Sequence, residues 1–406
     1  MKILLVTPMP PQAHGFGAIP VLQYAELVGL LERHQVSLVT LGGLEPGDQE
    51  AIERLSALDI QLHVVWREKL HGIQKWLRRW RMVSTWLKGK YPRRTIWFWE
   101  PGVQIKINEL VSSDTFDLIL AEDNAMGIYE YPRSVPTFFT EYEVRRPRSL
   151  SWLDFPKKGL IRWILDELDW MRWKGYQRNI WVRFDRIQTV SQRDAEAIGV
   201  LSPEISSRVR VNPFGIVLPA VAEAAEQKEN TILFVGNYTH PPNVDAALWL
   251  GQEIMPLLRK LHPGVSLTLV GIYPPKEVLA LAGDDIYVTG PVADIEPLLK
   301  HASVVVAPVR IGGGMRMKVL QAMAMGKAVV TTSRGTDGFV MNGSQPPLVV
   351  ADDAEKFAKT IADLLCNRMK RIDLGMRARE FVQINFSAQA YARRIEAIYA
   401  EMLEGV

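Results

Sequence analysis

The chain has 406 residues, of which 48% are hydrophobic and 23% charged; this excludes a disordered chain and leaves room for two or three domains with substantial cores. A single cysteine, Cys366, excludes a disulfide framework and any thiolate metal cluster and suits a reducing compartment. Net charge is only +3 but unevenly spread, for the interval from Trp66 to Arg94 holds ten Lys/Arg against one acid, Glu68.

In chain order, KILLVTP reads as a strand whose apolar run is too short for a secretory core. A turn follows with His14, Gly15 and Gly17, then the helical stretch VLQYAELVGLLERH and a second strand, QVSLVTL. Strands are predicted at IQLHVVW, FDLILAE, VPTFFTE and FDRIQTVS, with a long helix over about 159–184 and a capped helix at SQRDAEAIG. PFGIVLPAVAEAAEQKEN has no strong periodicity and reads as a linker. Beyond it, TILFVGN, VSLTLVG, IYVTGP, ASVVVAP and KAVVTTS alternate with helical patterns, and FSAQAYARRIEAIYAEMLEGV closes the chain as an amphipathic helix.

Apolar strands alternating with helices predict an α/β fold of two doubly wound, Rossmann-like domains, at 1–213 and 214–384, with a closing helix at 385–406. Two such domains in tandem imply a cleft bounded by the carboxyl ends of both strand sets, where open α/β sheets bind ligands. No run of about 18 uncharged apolar residues is present. The expectation is a cytoplasmic protein.

The segment VVVAPVRIGGGMRMKVLQAMAMG concentrates the chemistry. A strand ends at Pro308, glycines follow at Gly312, Gly313 and Gly314, and a helix opens near Met315 with Arg316 and Lys318 in its first turn. Cations are unfavourable at a helix N-terminus, where the macrodipole is positive, unless an anion shares the spot. Glycine lets phosphate approach the backbone N–H groups, and arginine adds a bidentate fork. A diphosphate site is therefore expected here. In TILFVGNYTHPPN, Gly236 and Asn237 end a strand and could meet the same phosphates; in YVTGPVADIEPLL, exposed backbone at Gly290 and Val292 could pair with a planar base. Acids also follow strands, Glu122 and Asp123 after LILA, Glu141 and Glu143 after VPTFF, and read either as ligands for acceptor hydroxyls or as caps and solvated charges. His14 reads as a loop histidine or a further acceptor-side group. No Ser-His-Asp or Cys-His constellation stands out, and Cys366, in a helical pattern, is expected to be packed.

These residues resemble a known family. From Leu233 to Phe339, FVGNYTHPPNVDA, LTLVG, VTGPVADIEPLL and HASVVVAPVRIGGGMRMKVLQAMAMGKAVVTTSRGTDGF, with the closing helix, are similar to the donor-binding domain of retaining glycosyltransferases of the glycosyltransferase B (GT-B) fold, group 1. The N-terminal half matches more loosely and would receive the acceptor. The resemblance implies a metal-independent, retaining transfer of a sugar from a nucleotide-diphosphate donor to a hydroxyl acceptor, with no cofactor. It implies that Arg316 and Lys318 neutralise the departing diphosphate and that Gly236, Asn237, Gly313, Gly314 and Met315 lie against it. Gly15 and Gly17 would approach the phosphate from the N-terminal domain, and Gly290 to Val292 would hold the base. The closing helix would cross back onto the N-terminal domain. Of the family's two glutamates eight positions apart, this chain has Gly313 and Gln321 instead; Gln321 would meet the ribose without charge. A weakened enzyme or a sugar-nucleotide-binding protein is the alternative, and an epimerase on the same fold has no motif in its favour.

Tryptophan is skewed as well, with eleven of twelve between Trp66 and Trp181. The basic aromatic segment Trp66–Arg94 has three readings: tryptophans packing their own domain under solvated charges, an anionic membrane surface or lipid-linked acceptor at the inner face of the membrane, or another polyanion. No nucleic-acid-binding module is recognised in it.

Overall fold

The computed structural model describes residues 1–13, 18–45, 47–67, 71–145, 160–219, 228–292, 294–312, 315–341 and 343–404. His14, Gly15, Gly17, Gly313 and Gly314 lie outside them. The chain divides into two compact units, one of Met1–Ala13, Ile19–Asn212 and Ala392–Val406, the other centred on Pro213–Tyr391.

The first unit runs β1 (Lys2–Thr7), α1 (Ala18–Leu31), β2 (Gln35–Gly42), α2 (Asp48–Ser56), β3 (Gln61–Trp66), α3 (Gly72–Leu87), α4 (Arg93–Phe98), α5 (Pro101–Ser113), β4 (Leu118–Glu122), β5 (Thr137–Glu141), α6 (Leu160–Trp181), β6 (Arg186–Thr189), α7 (Gln192–Leu201) and β7 (Val209–Val211). All seven strands are parallel, in the order β3-β2-β1-β4-β5-β6-β7. Helices cover both faces of such a sheet, so its strands read as unbroken apolar runs: every residue of LILAE and TFFTE is buried. The capping signal at α7 is realised, Ser191 Oγ accepting from Asp194 N at 3.2 Å.

The second unit runs β8 (Thr231–Val235), α8 (Pro241–Trp249), α9 (Met255–Leu261), β9 (Ser266–Val270), α10 (Lys276–Leu279), β10 (Ile286–Gly290), α11 (Glu296–His301), β11 (Val304–Ala307), α12 (Met317–Ala324), β12 (Ala328–Thr331), β13 (Val349–Val350), α13 (Ala354–Cys366), α14 (Arg368–Phe386) and α15 (Ala388–Glu404). Its parallel sheet is ordered β10-β9-β8-β11-β12-β13. Connections leave β8 toward β9 on one side and β11 toward β12 on the other. The crevice between β8 and β11 is thus the topological switch point, where ligands of doubly wound sheets settle.

From Ala392 onward α15 belongs to the first unit. Tyr399 stacks edge-on against Phe138 at 5.0 Å, Glu396 meets His34 Nε2 at 2.9 Å, Glu401 pairs with Arg210, and Arg394 Nε donates to Asn212 Oδ1 at 2.8 Å. Cys366, expected to be packed, is exposed at the end of α13, its Sγ 3.5 Å from His262 Nδ1. The last turn of an amphipathic helix leaves the core side as it ends, which composition alone does not reveal.

Candidate functional site

The switch point of the second unit brings together the loops after β8 and β11. Arg316 stands at the cap position of α12, with backbone φ −96° and ψ 98° and no capping bond from its side chain, and Lys318 lies in the first turn. The first N–H groups of a helix have no intrahelical acceptor, so this end offers donors as well as two cations.

Local sequence explains how the cations are aimed. Lys318 Nζ donates to Asn243 Oδ1 at 2.5 Å and sits 4.3 Å from the centre of the Phe234 ring. Asn243 Nδ2 in turn donates to Asn237 O at 2.7 Å, and Asn237 Oδ1 accepts from Thr239 N at 3.0 Å. The turn after β8 is thereby tied to the start of α12 through one asparagine. Gly236 has no room for a side chain: a Cβ there would lie 3.0 Å from both Asn243 Cβ and the Phe234 ring. Gly312, at φ +89°, would put a Cβ 3.2 Å from Pro242 and 3.5 Å from the Arg316 guanidinium, whose Nη2 also donates to Ile311 O at 3.4 Å.

Lys318 as a residue is only half-buried, but its ammonium end is enclosed, and its pKa is pushed down to about 7. Desolvation is the larger cause, and the neighbouring Arg316 charge adds to it. Two cations side by side, one with its charged end desolvated, make this end of α12 a place of positive potential.

Three strand ends meet through backbone. Gly236 N donates to Val270 O at 2.8 Å, and Gly271 N to Gly290 O at 3.2 Å. Gly271 has φ +152°, and a Cβ there would fall 1.6 Å from Gly236 O. Gly290 has φ +69°, Thr289 beside it is exposed and Val292 is half-buried. Gln321 follows Lys318 by three residues on the same helix, and Met315 packs below Gly338. The structure therefore gathers Gly236, Asn237, Lys318 and Arg316 in one place. Sequence reasoning missed Asn243, which looked like part of an ordinary Pro-Asn turn, and Gly271, one more glycine at a strand end.

Of the two readings of the strand-end acids in the first unit, caps and solvated charges describe Asp123 and Glu143, and neither reading describes Glu122 and Glu141. Glu122 has no exposed surface; Thr140 Oγ1 donates to it at 2.5 Å, Tyr142 OH donates to its other oxygen, and Glu26 is hydrogen-bonded to it. Burial, with the nearby Asp123 charge, holds its pKa well above the ordinary glutamate value. Glu141 is equally enclosed, accepting from Asn124 Nδ2 at 3.2 Å and Trp181 Nε1 at 3.0 Å, and burial raises it to about 8. Asp123, at φ +77°, accepts from Arg94 Nη2 at 2.9 Å and caps the following turn through Ala125 N. Glu143 is exposed, 3.8 Å from Arg145. Strand-end acids on a sheet covered on both faces are drawn inward; their position was legible, their burial was not. Among the described residues no group of three or more His, Cys, Asp or Glu is arranged to hold a metal ion.

Residues 229–367 match the family model for glycosyl transferases group 1. An uncharacterized 44.6 kDa protein in the cps region of Klebsiella pneumoniae is 24% identical over 230 residues, covering 54% of this chain and 57% of that one. The lipopolysaccharide core biosynthesis mannosyltransferase LpcC of Rhizobium leguminosarum bv. viciae is 30% identical over 127 residues, 31% of this chain and 36% of that one. The chain thus spans about half the length of the curated relatives it matches. Among solved structures, Anabaena HepE in complex with UDP and glucose aligns over 100% of both chains at TM-score 0.64 and 15% identity. Sucrose-phosphate synthase of Thermosynechococcus elongatus aligns over 100% of both at 0.67 and 17%. Within the second unit, residues 229–367 are thus similar to the glycosyl transferases group 1 family, and the fold of the chain is GT-B.

Proposed function

We propose that this protein is a glycosyltransferase that moves a sugar from a nucleoside-diphosphate sugar to a hydroxyl acceptor, retaining anomeric configuration and needing no divalent metal. The observation that carries the reading is the pair Arg316 and Lys318 at the opening of α12, with the Lys318 ammonium enclosed and its pKa depressed. A diphosphate carries the charge that complements both cations. As the bond from the anomeric carbon to the β-phosphate oxygen breaks, its electron pair goes to the diphosphate. The two cations and the first N–H groups of α12 stabilise that charge in an enclosed site. The acceptor oxygen bonds to the same carbon and passes its proton to the departing diphosphate oxygen, so that glycoside and nucleoside diphosphate are the products. Gln321 accepts a ribose hydroxyl, and backbone around Gly290 and Val292 faces the base.

Because the cations can do for the leaving group what a bound divalent ion does elsewhere, turnover should be indifferent to chelator. The mannosyltransferase description of one relative and the cps-region origin of another support a role in polysaccharide or lipopolysaccharide assembly. UDP and glucose in the HepE structure support a nucleotide-sugar donor. The test is a panel of UDP-, GDP-, dTDP- and ADP-sugars, read by thermal shift and then by product formation with and without EDTA. Proton coupling at the new anomeric centre reports retention. Gln321 favours a second reading, a weakened enzyme or binding protein; faster turnover in Gln321→Glu supports the weakened enzyme, and binding without transfer in both supports the binding protein.

A further inference from the structure

Helix α3 presents a face that no core of this protein covers. None of its 16 residues is buried and none is acidic. Ile73, Trp76, Leu77, Trp80, Val83 and Leu87 recur at helical spacing on one stripe, from 51% exposed at Leu77 to 78% at Ile73. The reading in which these tryptophans pack their own domain fails for Trp76 and Trp80. The opposite side anchors the helix: Trp86 Nε1 donates to Asp169 Oδ1 at 2.8 Å, Arg172 lies 3.9 Å over the Trp86 ring, and Arg78 reaches Glu100 at 3.4 Å. The stripe is therefore fixed outward.

Contiguous apolar surface of this kind marks an interaction site. Its borders choose the partner. Arg79 and Lys75 flank one edge and Lys88 and Arg81 the other; Lys75, Arg79 and Lys88 are exposed and make no ion pair among the described residues. A second copy of the chain would bring like charges together. A cavity of about 650 Å³ lies beside the stripe, sharing Trp80 with it and lined by Met82, Ile96, Trp99 and Ile128 together with Arg81 and Lys88. Apolar depth beside cations suits an amphiphile with an anionic head better than a nucleic acid. No helix among the described residues is long and apolar enough to cross a membrane, which leaves the in-plane arrangement for α3.

We propose that α3 docks this protein on an anionic lipid surface, its tryptophan stripe entering the boundary between headgroups and acyl chains while Lys75, Arg79 and Lys88 meet lipid phosphates. This does not rest on the transferase reading, and its test reads binding alone. The full chain is sedimented with vesicles of phosphatidylcholine, with or without phosphatidylglycerol, at low and high salt. At low salt, binding to the anionic vesicles is at least roughly tenfold tighter than to the neutral ones, and salt weakens it. Trp76→Glu/Trp80→Glu abolishes binding, and Arg79→Glu/Lys88→Glu removes the anionic preference. Both variants keep the wild-type thermal transition, because all four side chains are exposed. No binding to anionic vesicles at low salt overturns the proposal. So does undiminished binding by the tryptophan variant, or a stripe-dependent dimer that ignores vesicles.

Discussion

Lys318 is the residue on which charge, burial and position converge. Its pKa of about 7 makes it largely neutral at pH 8.5 in the free protein. A diphosphate beside it restores the ammonium, so donor binding takes up a proton between about pH 7 and 10. Titration calorimetry at pH 8.5 in buffers of different ionisation enthalpy should give close to one proton taken up by wild type and none by Lys318→Met. The folded protein disfavours the charged lysine, and this penalty grows as pH falls from the ordinary lysine value toward 7. Lys318→Met should therefore melt higher than wild type at pH 7 without donor while binding donor far more weakly; equal melting would refute the burial argument. Glu141 carries the opposite sign of group with the same cause. Held protonated up to about pH 8, it contributes fully below the ordinary glutamate pKa, and stability declines as pH rises from there through 8. Glu141→Gln should flatten urea-denaturation stability between pH 5 and 9, the amide of Asn124 turning over to accept from the new NH₂ group; parallel curves for the two proteins would contradict this. The place of Arg316 and Lys318 at the opening of a helix, where a cation conflicts with the dipole, was legible from sequence. The burial of Glu122 and Glu141 was not, since a carboxylate after a strand looks the same whether neighbouring Tyr142 and Trp181 close over it or leave it open.

At the scale of elements, strands announce themselves as apolar runs, and β1 through β6 and β8 through β12 were all legible in that way, even β3 and β10, which are only partly buried. β7 and β13, three and two residues long at sheet edges, are too short for any period to register. α3 was visible as composition, but Trp80 and Trp86 differ only in helical phase, and tertiary anchoring through Asp169 decides which of them faces outward. The close approach of β8 and β9 at Gly271 is a tertiary fact of the same kind. Gly271→Ala would force a Cβ into Gly236 O at a backbone angle that L-residues rarely adopt. The cost should be at least about 1–3 kcal/mol. Because Gly236 leads through Asn237 and Asn243 to Lys318, donor affinity should fall too. Wild-type stability by urea denaturation in this variant would mean that the strand ends have slack.

The molecule joins two doubly wound units that divide the chemistry unequally. The glycosyl transferases group 1 match and the cation pair fall in the second unit, whereas the first carries the outward-facing amphipathic helix and a buried acid network. Strict parallel alternation made both sheets legible. The loops that the sequence singled out, those after β8 and β11, lie at the switch point of the second sheet. A bound donor at 100 times its dissociation constant should stabilise the whole chain by about 2.7 kcal/mol, provided that it binds only the folded state. The most direct test of the central claim is calorimetric titration of the nucleoside diphosphate selected by the donor panel into wild type and into Arg316→Ala/Lys318→Ala. The account predicts tight binding by wild type and a loss of at least roughly 10² in the double variant, from two charge-assisted contacts in an enclosed site. Equal affinity in the two proteins would contradict it.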